Sequence, residues 1–405
     1  MEKRGYTIAG IGIVLMLAVL CGSASAAVLE ELQTVKSGTV QGGVYVGGGY
    51  SDGMPDTNVT QTFDVPSGNI LWSRLYVDVW ASGKTSGWLN LTYWNGTGNT
   101  ENNQYLDYNY TGGANDETEG YYVSCGYGHY WKYWNVTDIT VGGVVNKVTA
   151  NTSDFSVGDI YGIVLITVYD DGGQSARYWI NQGYVHIGDV SSYPCAVQSN
   201  TTWFNGTINI VNSTLWTIYL TGSEDELDYL YFNGHKFATD DAADGGGSTP
   251  DSTWAADSGF DVDSWFVDKT WLNPSSNNVT FRNNDTIPPG ETSLRVVGAV
   301  LINKEPKPDL NVSEINPLVE RKGQTPIALV ANHTYTINAT IINTGEKDAT
   351  GFNVTLHENG TLKNDTYVSG LGITPETKEK VVQFNWTSLG GVYELKVTAD
   401  AYDAV

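Results

Sequence analysis

Residues 87 to 99, Gly87-Trp-Leu-Asn-Leu-Thr-Tyr-Trp-Asn-Gly-Thr-Gly-Asn99, decide the fold class. Leu89, Leu91 and Tyr93 fall on one side of a period-two strand and Asn90 and Thr92 on the other, the pattern of a sheet with one buried and one wet face. Asn95-Gly96 follows, and that pair supplies the positive φ values of a type I′ hairpin turn. Trp88 and Trp94 share the Asn90 side, so the wet face is partly aromatic. The stretch also holds two Asn-x-Thr glycan-acceptor patterns, at Asn90 and Asn95.

Acceptor patterns recur along the chain. Of 33 asparagines, 18 have Ser or Thr two places on without an intervening Pro: Asn58, Asn90, Asn95, Asn109, Asn135, Asn151, Asn200, Asn205, Asn212, Asn278, Asn284, Asn311, Asn332, Asn338, Asn353, Asn359, Asn364 and Asn385. With 70 Ser and Thr in 405 residues, chance gives about six. Such sites have chemical meaning only in an exported chain. The competing reading is that Asn-x-Thr simply suits β-rich, turn-rich surfaces.

The first residues favour export. Lys3 and Arg4 precede an apolar run from Ile8 to Leu20, too short to span a bilayer comfortably, and Ala24-Ser-Ala26 has the small residues of a signal-peptidase site. Residues 1–26 are therefore expected to be a signal peptide, leaving no transmembrane span in the mature chain. Cys125 and Cys195 then remain as an even pair in an oxidising compartment and are expected to form a disulfide. Without residues 1–26 the chain keeps 19 Lys and Arg against 44 Asp and Glu, a net charge near −25. That balance excludes nucleic acid as a partner and favours solubility and loosely held cations.

The chain is long enough for two or three cores. Twelve per cent aromatics, 46 glycines and the lack of long 3.6-period segments point to an all-β protein. An internal repeat organises its middle. Trp88 to Gly96 aligns with Glu226 to Gly234 at an offset of 138, which sets Asn90 against Asp228. Trp131-Lys-Tyr-Trp134 aligns with Trp265 to Trp271, Asn146-Lys-Val-Thr149 with Asn277-Asn-Val-Thr280, and Gly162 to Val168 with Arg295 to Leu301. Two tandem jelly-roll-like β-sandwiches are expected, at 27–195 and 196–303. A Pro- and Lys-containing linker at 304–308 leads to short alternating strands over 309–405, the pattern of an immunoglobulin-like sandwich.

The last segment carries a resemblance. Pro308-Asp-Leu-Asn-Val312, Asn343-Thr-Gly345, Ala349 to Leu356 and Gly391 to Asp400 resemble the CARDB domain, an immunoglobulin-like module of prokaryotic surface proteins associated with cell adhesion. The family continues past this point with an acidic, Asn-rich strand, so the domain is expected to be cut short. Residues 40 to 303 resemble an uncharacterised domain family common in surface proteins of methanogenic archaea. The residues that carry this are Gly42-Gly-Val-Tyr-Val-Gly-Gly-Gly49, Asn95-Gly96, Ser124-Cys-Gly-Tyr-Gly-His129 and Trp134-Asn-Val-Thr-Asp-Ile139. The resemblance implies location and architecture and supplies no catalytic residues.

Signals for chemistry are weak. Gly49-Tyr-Ser51-Asp-Gly53 matches the G-x-S-x-G pattern, but a nucleophile elbow needs a helix next, and Met54-Pro-Asp-Thr57 reads as a loop. His129, His186, His235, His333 and His357 are scattered, with no HExxH. Asp240, Asp241, Asp244 and Asp251, followed by Asp257, Asp261 and Asp263, form an acidic Gly-rich stretch suited to Ca²⁺. His129-Tyr-Trp-Lys-Tyr-Trp134, with Trp88 and Trp94, offers flat rings for sugars, although alternating aromatics in a sheet also serve as core.

The reading is a non-enzymatic secreted or cell-surface glycoprotein with a structural or adhesive role, without a certain cofactor. Its expected partners are other envelope proteins, glycans, or further copies of itself. The alternatives are a carbohydrate-binding module set of a larger extracellular protein, and a secreted hydrolase.

Overall fold

The computed structural model describes residues 30–49, 56–81, 83, 85–108, 120–123, 129–188, 196–220, 227–239, 242–243, 260–283, 293–316, 331–345, 347–390 and 392–399. Among them the secondary structure is strand, apart from one 3₁₀ turn at Lys269–Trp271. In the first third lie β1 (Glu30–Gly49), β2 (Asn58–Asp64), β3 (Asn69–Trp80), β4 (Gly87–Trp94), β5 (Asn99–Leu106), β6 (Tyr121–Val123), β7 (His129–Asn135), β8 (Val145–Ser153) and β9 (Asp159–Gly188). The middle holds β10 (Ser199–Asn205), β11 (Ser213–Leu220), β12 (Asp228–Phe232), β13 (His235–Lys236), β14 (Phe260–Val267), β15 (Ser276–Asn283) and β16 (Ser293–Lys304). The last part holds β17 (Leu310–Asn316), β18 (His333–Asn343), β19 (Phe352–Glu358), β20 (Thr361–Val368), β21 (Glu379–Ser388) and β22 (Leu395–Ala399).

Residues 30 to 304 form four layers. An outer sheet of order β2-β8-β4-β5 packs on β3, β7 and the first half of β9 through Leu89, Leu91, Tyr93, Leu75, Val77 and Leu165. A second outer sheet, β10-β15-β12-β13, packs on β11, β14, β16 and the second half of β9 through Phe204, Leu230, Phe281, Leu215, Leu301 and Trp179. The two inner layers meet in a third core containing Tyr76, Trp131, Tyr133, Ile218, Phe260 and Val300. Because β9 pairs with β3 through residues 159–170 and with β16 through residues 176–188, and carries β1 beside it, the inner strands belong to one eight-stranded sheet.

The halves expected at 27–195 and 196–303 therefore share two strands. Residues 42–49 of β1 pair with 163–170 of β9, and residues 30–41 pair with 175–184. Asp171 to Gln174 interrupt that ladder. Gly172 takes φ 71° there, and the carboxylates of Asp170 and Asp171 accept from the N–H groups of Gly172 and Gly173. An insertion of this kind bends a strand and raises its twist, so one ribbon serves both inner layers.

The repeat has matching interior parts. Asn146 is buried and donates to the carbonyls of Val141 and Val144, while Asn277 is buried and donates to that of Asn273. Thr60 and Thr149 share a hydroxyl hydrogen bond of 2.8 Å on the first outer sheet, as Thr201 and Thr280 do at 2.7 Å on the second. These pairs fix the correspondence at one residue more than the sequence alignment. Trp94 lies beside Lys147, and Asn233 takes the matching place beside Asn278, an offset of 139. Asp228 is accordingly buried and answers to Leu89, not to the outward-facing Asn90. A one-residue slip in a period-two pattern exchanges the two faces.

The turn expectation also changes. Asn233-Gly234 is the two-residue turn, with both φ values positive at 47° and 82°, whereas Asn95 has no positive φ. Residues 95–98 form a longer loop in which the Asn95 carboxamide oxygen accepts from the Thr97 and Gly98 N–H groups. A turn of the first kind also occurs at Asn359-Gly360, joining β19 and β20.

The final unit is a small sandwich of two three-stranded sheets, β17-β18-β21 and β20-β19-β22, closed over Ile337, Ile341, Phe352, Leu356, Phe384 and Trp386.

Candidate functional site

On β2, β8 and β4 alternate side chains turn to the core, on β5 only Leu106 is buried, and the outward side chains form rows across the outer face. Strand register places Asn58 beside Asn151, Asn151 beside Asn90, and Asn90 beside Asn103. The next row is Thr60, Thr149, Thr92 and Glu101, and the one after it Thr62, Lys147, Trp94 and Asn99. On the other side of the asparagine row, Trp88 lies between Ser153 and Tyr105. Trp88, Trp94 and Tyr105 are 40%, 38% and 44% exposed, and the Trp88 and Tyr105 rings meet edge to face at 5.3 Å. The result is a flat face of amides and hydroxyls bracketed by aromatic rings.

The second outer sheet differs. Trp203 is half exposed, but Arg282 pairs with Tyr229, and the Lys236 ammonium lies 4.1 Å from the Tyr229 ring centroid. Its face is cationic where the first is neutral.

Among the described residues, full burial is confined to asparagines outside the acceptor pattern, although other such asparagines, among them Asn69, Asn99, Asn103 and Asn209, are exposed. All sixteen acceptor-pattern asparagines among the described residues are at least partly exposed, while Asn146, Asn181, Asn277, Asn283, Asn303 and Asn343 are buried and none begins an acceptor pattern. The spacing explains part of this. Asn-x-Thr has the period of a strand, so an outward Asn is followed by an outward Thr. The sequence contained that signal, but register, which turns single asparagines into a row, was not visible in it.

Other sequence candidates fare differently. His129-Tyr-Trp-Lys-Tyr-Trp134 forms β7 and all six residues are buried, so this stretch is no sugar platform. It lies in an inner layer covered on both sides, with Trp131 stacked on Tyr76 at 5.1 Å. Asp261 and Asp263 are buried strand residues of β14, unlike loop ligands for a cation. Asp240, Asp241, Asp244 and Asp251, the cysteines Cys125 and Cys195, Ser51, Asn109 and Asn284 lie outside the described residues. Among the described residues no group of three or more His, Cys, Asp or Glu is placed to hold a metal ion, and no helix is long and apolar enough to cross a membrane.

Polar groups do converge in the inner layers, away from solvent. The Arg74 guanidinium and the Tyr76 hydroxyl both donate to Gln182 Oε1, at 2.9 and 2.8 Å, and Gln182 Nε2 donates to the Tyr122 hydroxyl. His129 Nδ1 lies 3.3 Å from Asp78 Oδ1, and His186 pairs in register with Arg295. Burial holds His186 down to about 3, with Arg295 and His129 adding to the effect. Burial also lowers His129, more than Asp78 raises it. Burial raises Tyr76 well above its usual range. Enclosure therefore favours the neutral form of both histidines.

The family described as "Protein of unknown function (DUF3344)" matches residues 23–303, and the CARDB family matches residues 307–405. Among curated proteins none matches the chain by sequence. Among solved structures, PNGase F, titled a glycosylasparaginase from Flavobacterium meningosepticum, is similar at 10% identity over 65% of this chain and 96% of its own, with a TM-score of 0.25. The ANX2 ectodomain from Arabidopsis thaliana is similar at 9% identity over 68% and 90%, with a TM-score of 0.22. A β-galacturonidase from Eisenbergiella tayi covers 50% of this chain and 33% of its own at 11% identity, with a TM-score of 0.16. Scores at this level carry nothing about activity.

Proposed function

The chain belongs to the family described as DUF3344, followed by a CARDB domain, and from that premise we propose that it is a secreted or cell-surface protein with a structural, adhesive role in the cell envelope. The observation that carries the proposal is that every acceptor-pattern asparagine among the described residues reaches water, while every fully buried asparagine lacks the pattern. A chain that meets a glycosylating machinery has to keep its acceptors in water. An archaeal envelope is the setting to which the resemblance of residues 40 to 303 points.

The role is mechanical. Residues 30 to 304 form one thick four-layer block, and a small sandwich follows, so the chain offers sheet faces and loop ends as contact surfaces. A formal charge of −24 keeps such blocks apart and soluble. Glycans suit exposed acceptors such as Asn135, Asn332, Asn359 and Asn364. Enzymatic activity is not part of the proposal; among the described residues, the neighbouring His129, His186 and Asp78 are enclosed. The test is mass spectrometry of the native protein. A chain beginning at Ala27, with hexose-bearing peptides at these exposed acceptors, supports the proposal. A chain that retains residues 1–26 and carries no glycan argues against it.

A further inference from the structure

We propose that the outer face of β2-β8-β4-β5 binds an uncharged glycan laid along β4, and that Asn58, Asn90 and Asn151 serve there as free amides and carry no attached glycan. The envelope role above provides the biological setting, while the binding stands or fails on the purified chain.

Register carries the argument. Trp88 and Trp94 are six residues apart on one straight strand, hence about 20 Å, and both point outward. Between them lie the asparagine and threonine rows. An extended sugar chain has two needs, flat apolar surfaces for the C–H faces of its rings and groups that both donate and accept for its hydroxyls. Indole supplies the first, and carboxamides and hydroxyls supply the second. Tyr105 widens the platform at the Trp88 end through its ring contact.

Charge selects the class of ligand. The chain has 45 acidic and 21 basic residues. The rows from Asn58 to Asn103, Thr60 to Glu101 and Thr62 to Asn99 nevertheless contain one cation, Lys147, and one anion, Glu101. A nucleic acid or an acidic polysaccharide would need a cationic face. The second outer sheet, with Arg282 and Lys236 around Tyr229, lacks this neutrality and is not included.

Occupancy follows from spacing. Directly opposed strand residues have Cβ atoms about 4.5–5.5 Å apart, which leaves no room for glycans on three consecutive members of one row. A single glycan at Asn90 would cover the ground between the tryptophans.

The experiment is affinity electrophoresis of the full chain from a host without N-glycosylation. The gels contain glucomannan, hydroxyethyl cellulose, mixed-linkage β-glucan or mannan, with polygalacturonate as the anionic control. Retardation by at least one neutral polymer and not by polygalacturonate is expected. Trp88→Ala and Trp94→Ala should each weaken it about tenfold, the loss of one stacking ring, and Trp94→Phe should retain part of it. Trp203→Ala on the second sheet should change nothing, and equal thermal melting of all variants shows that they fold. Failure of every neutral polymer to retard the chain would overturn the proposal, as would retardation unaffected by both tryptophan variants. So would a wild-type dimer that Trp94→Ala converts to monomer, which makes the face a self-contact, or a native protein with glycan on Asn90.

Discussion

Gly162→Ala tests the seam between the two inner layers. Gly162 lies on β9, and a Cβ built there would come within 2.3 Å of Phe260 Cδ2 and Cε2 and 2.4 Å of its Cζ. Carbon atoms rest at about 3.5–4.0 Å, so the ring has to withdraw by more than an ångström. It has nowhere to go, because Phe260 is fully buried and its ring centre lies 6.1 Å from that of Trp131. Two effects compete. Alanine stabilises by about 0.4–1 kcal/mol through the unfolded chain, whereas overpacking costs about 1–3 kcal/mol. Overpacking wins. The expected result is a net loss of about 1.3 kcal/mol, the difference between the mid-range values of about 2 and about 0.7 kcal/mol, and a measurable fall in Tm by calorimetry. Phe260→Leu trims the ring that obstructs the methyl, so the double variant should be more stable than the sum of the single effects predicts. Additive effects, or a Gly162→Ala chain as stable as wild type, would refute the packing described for this seam.

Three further outcomes are expected. His186 takes a proton near 6.5 when unfolded but only near 3 when folded. Between those values the unfolded chain binds more protons, so stability rises with pH and is lost as pH falls from about 6.5 toward 3, with a slope of up to about 1.4 kcal/mol per unit. Urea midpoints at several pH values measure this, and His186→Asn should flatten the slope; the same slope in that variant would remove His186 as its source. Asp228→Ala leaves the buried N–H groups of Ala242 and Ala243 without their carboxylate acceptor, now at 3.2 and 3.1 Å, and should cost about 1–3 kcal/mol per donor in denaturant unfolding. Gly234→Ala places a side chain at φ 82° in a type I′ turn and should cost about 1–2 kcal/mol, whereas Gly98→Ala, in open space, should be near neutral by thermal melting.

Some of this fold was legible because water marks one face of a strand. The alternation of Leu89, Leu91 and Tyr93 with Asn90 and Thr92 is borne out, as is the all-β class. In β7 that signal fails. Its layer has a core on either side, so a strand buried on both faces shows no alternation, and the sequence left Trp131 and Tyr133 open between sugar platform and core, where the structure makes them part of a seam. The long ribbon of β1 and β9 was hidden for another reason. Asp170-Asp171-Gly172-Gly173 has the composition of a hairpin turn, yet it is an insertion in a ladder that continues past it. The repeat was found, but its register was read one residue short, because Asn95-Gly96 and Asn233-Gly234 look alike and fold differently. At the candidate site Trp88, Trp94 and the acceptor asparagines were visible one by one. The β4–β5 pairs are local, but assembly into rows also depends on β8 pairing with β4 and β2 across about 50 to 95 positions, which no local pattern encodes.

The account as a whole depends on the chain working outside the cell. Intact cells of the source organism treated with a membrane-impermeant amine reagent, followed by peptide mapping of exposed lysines such as Lys147, Lys347 and Lys380, test this directly. Labelling of those lysines before lysis is the predicted result, and labelling that appears only after the cells are broken would contradict it.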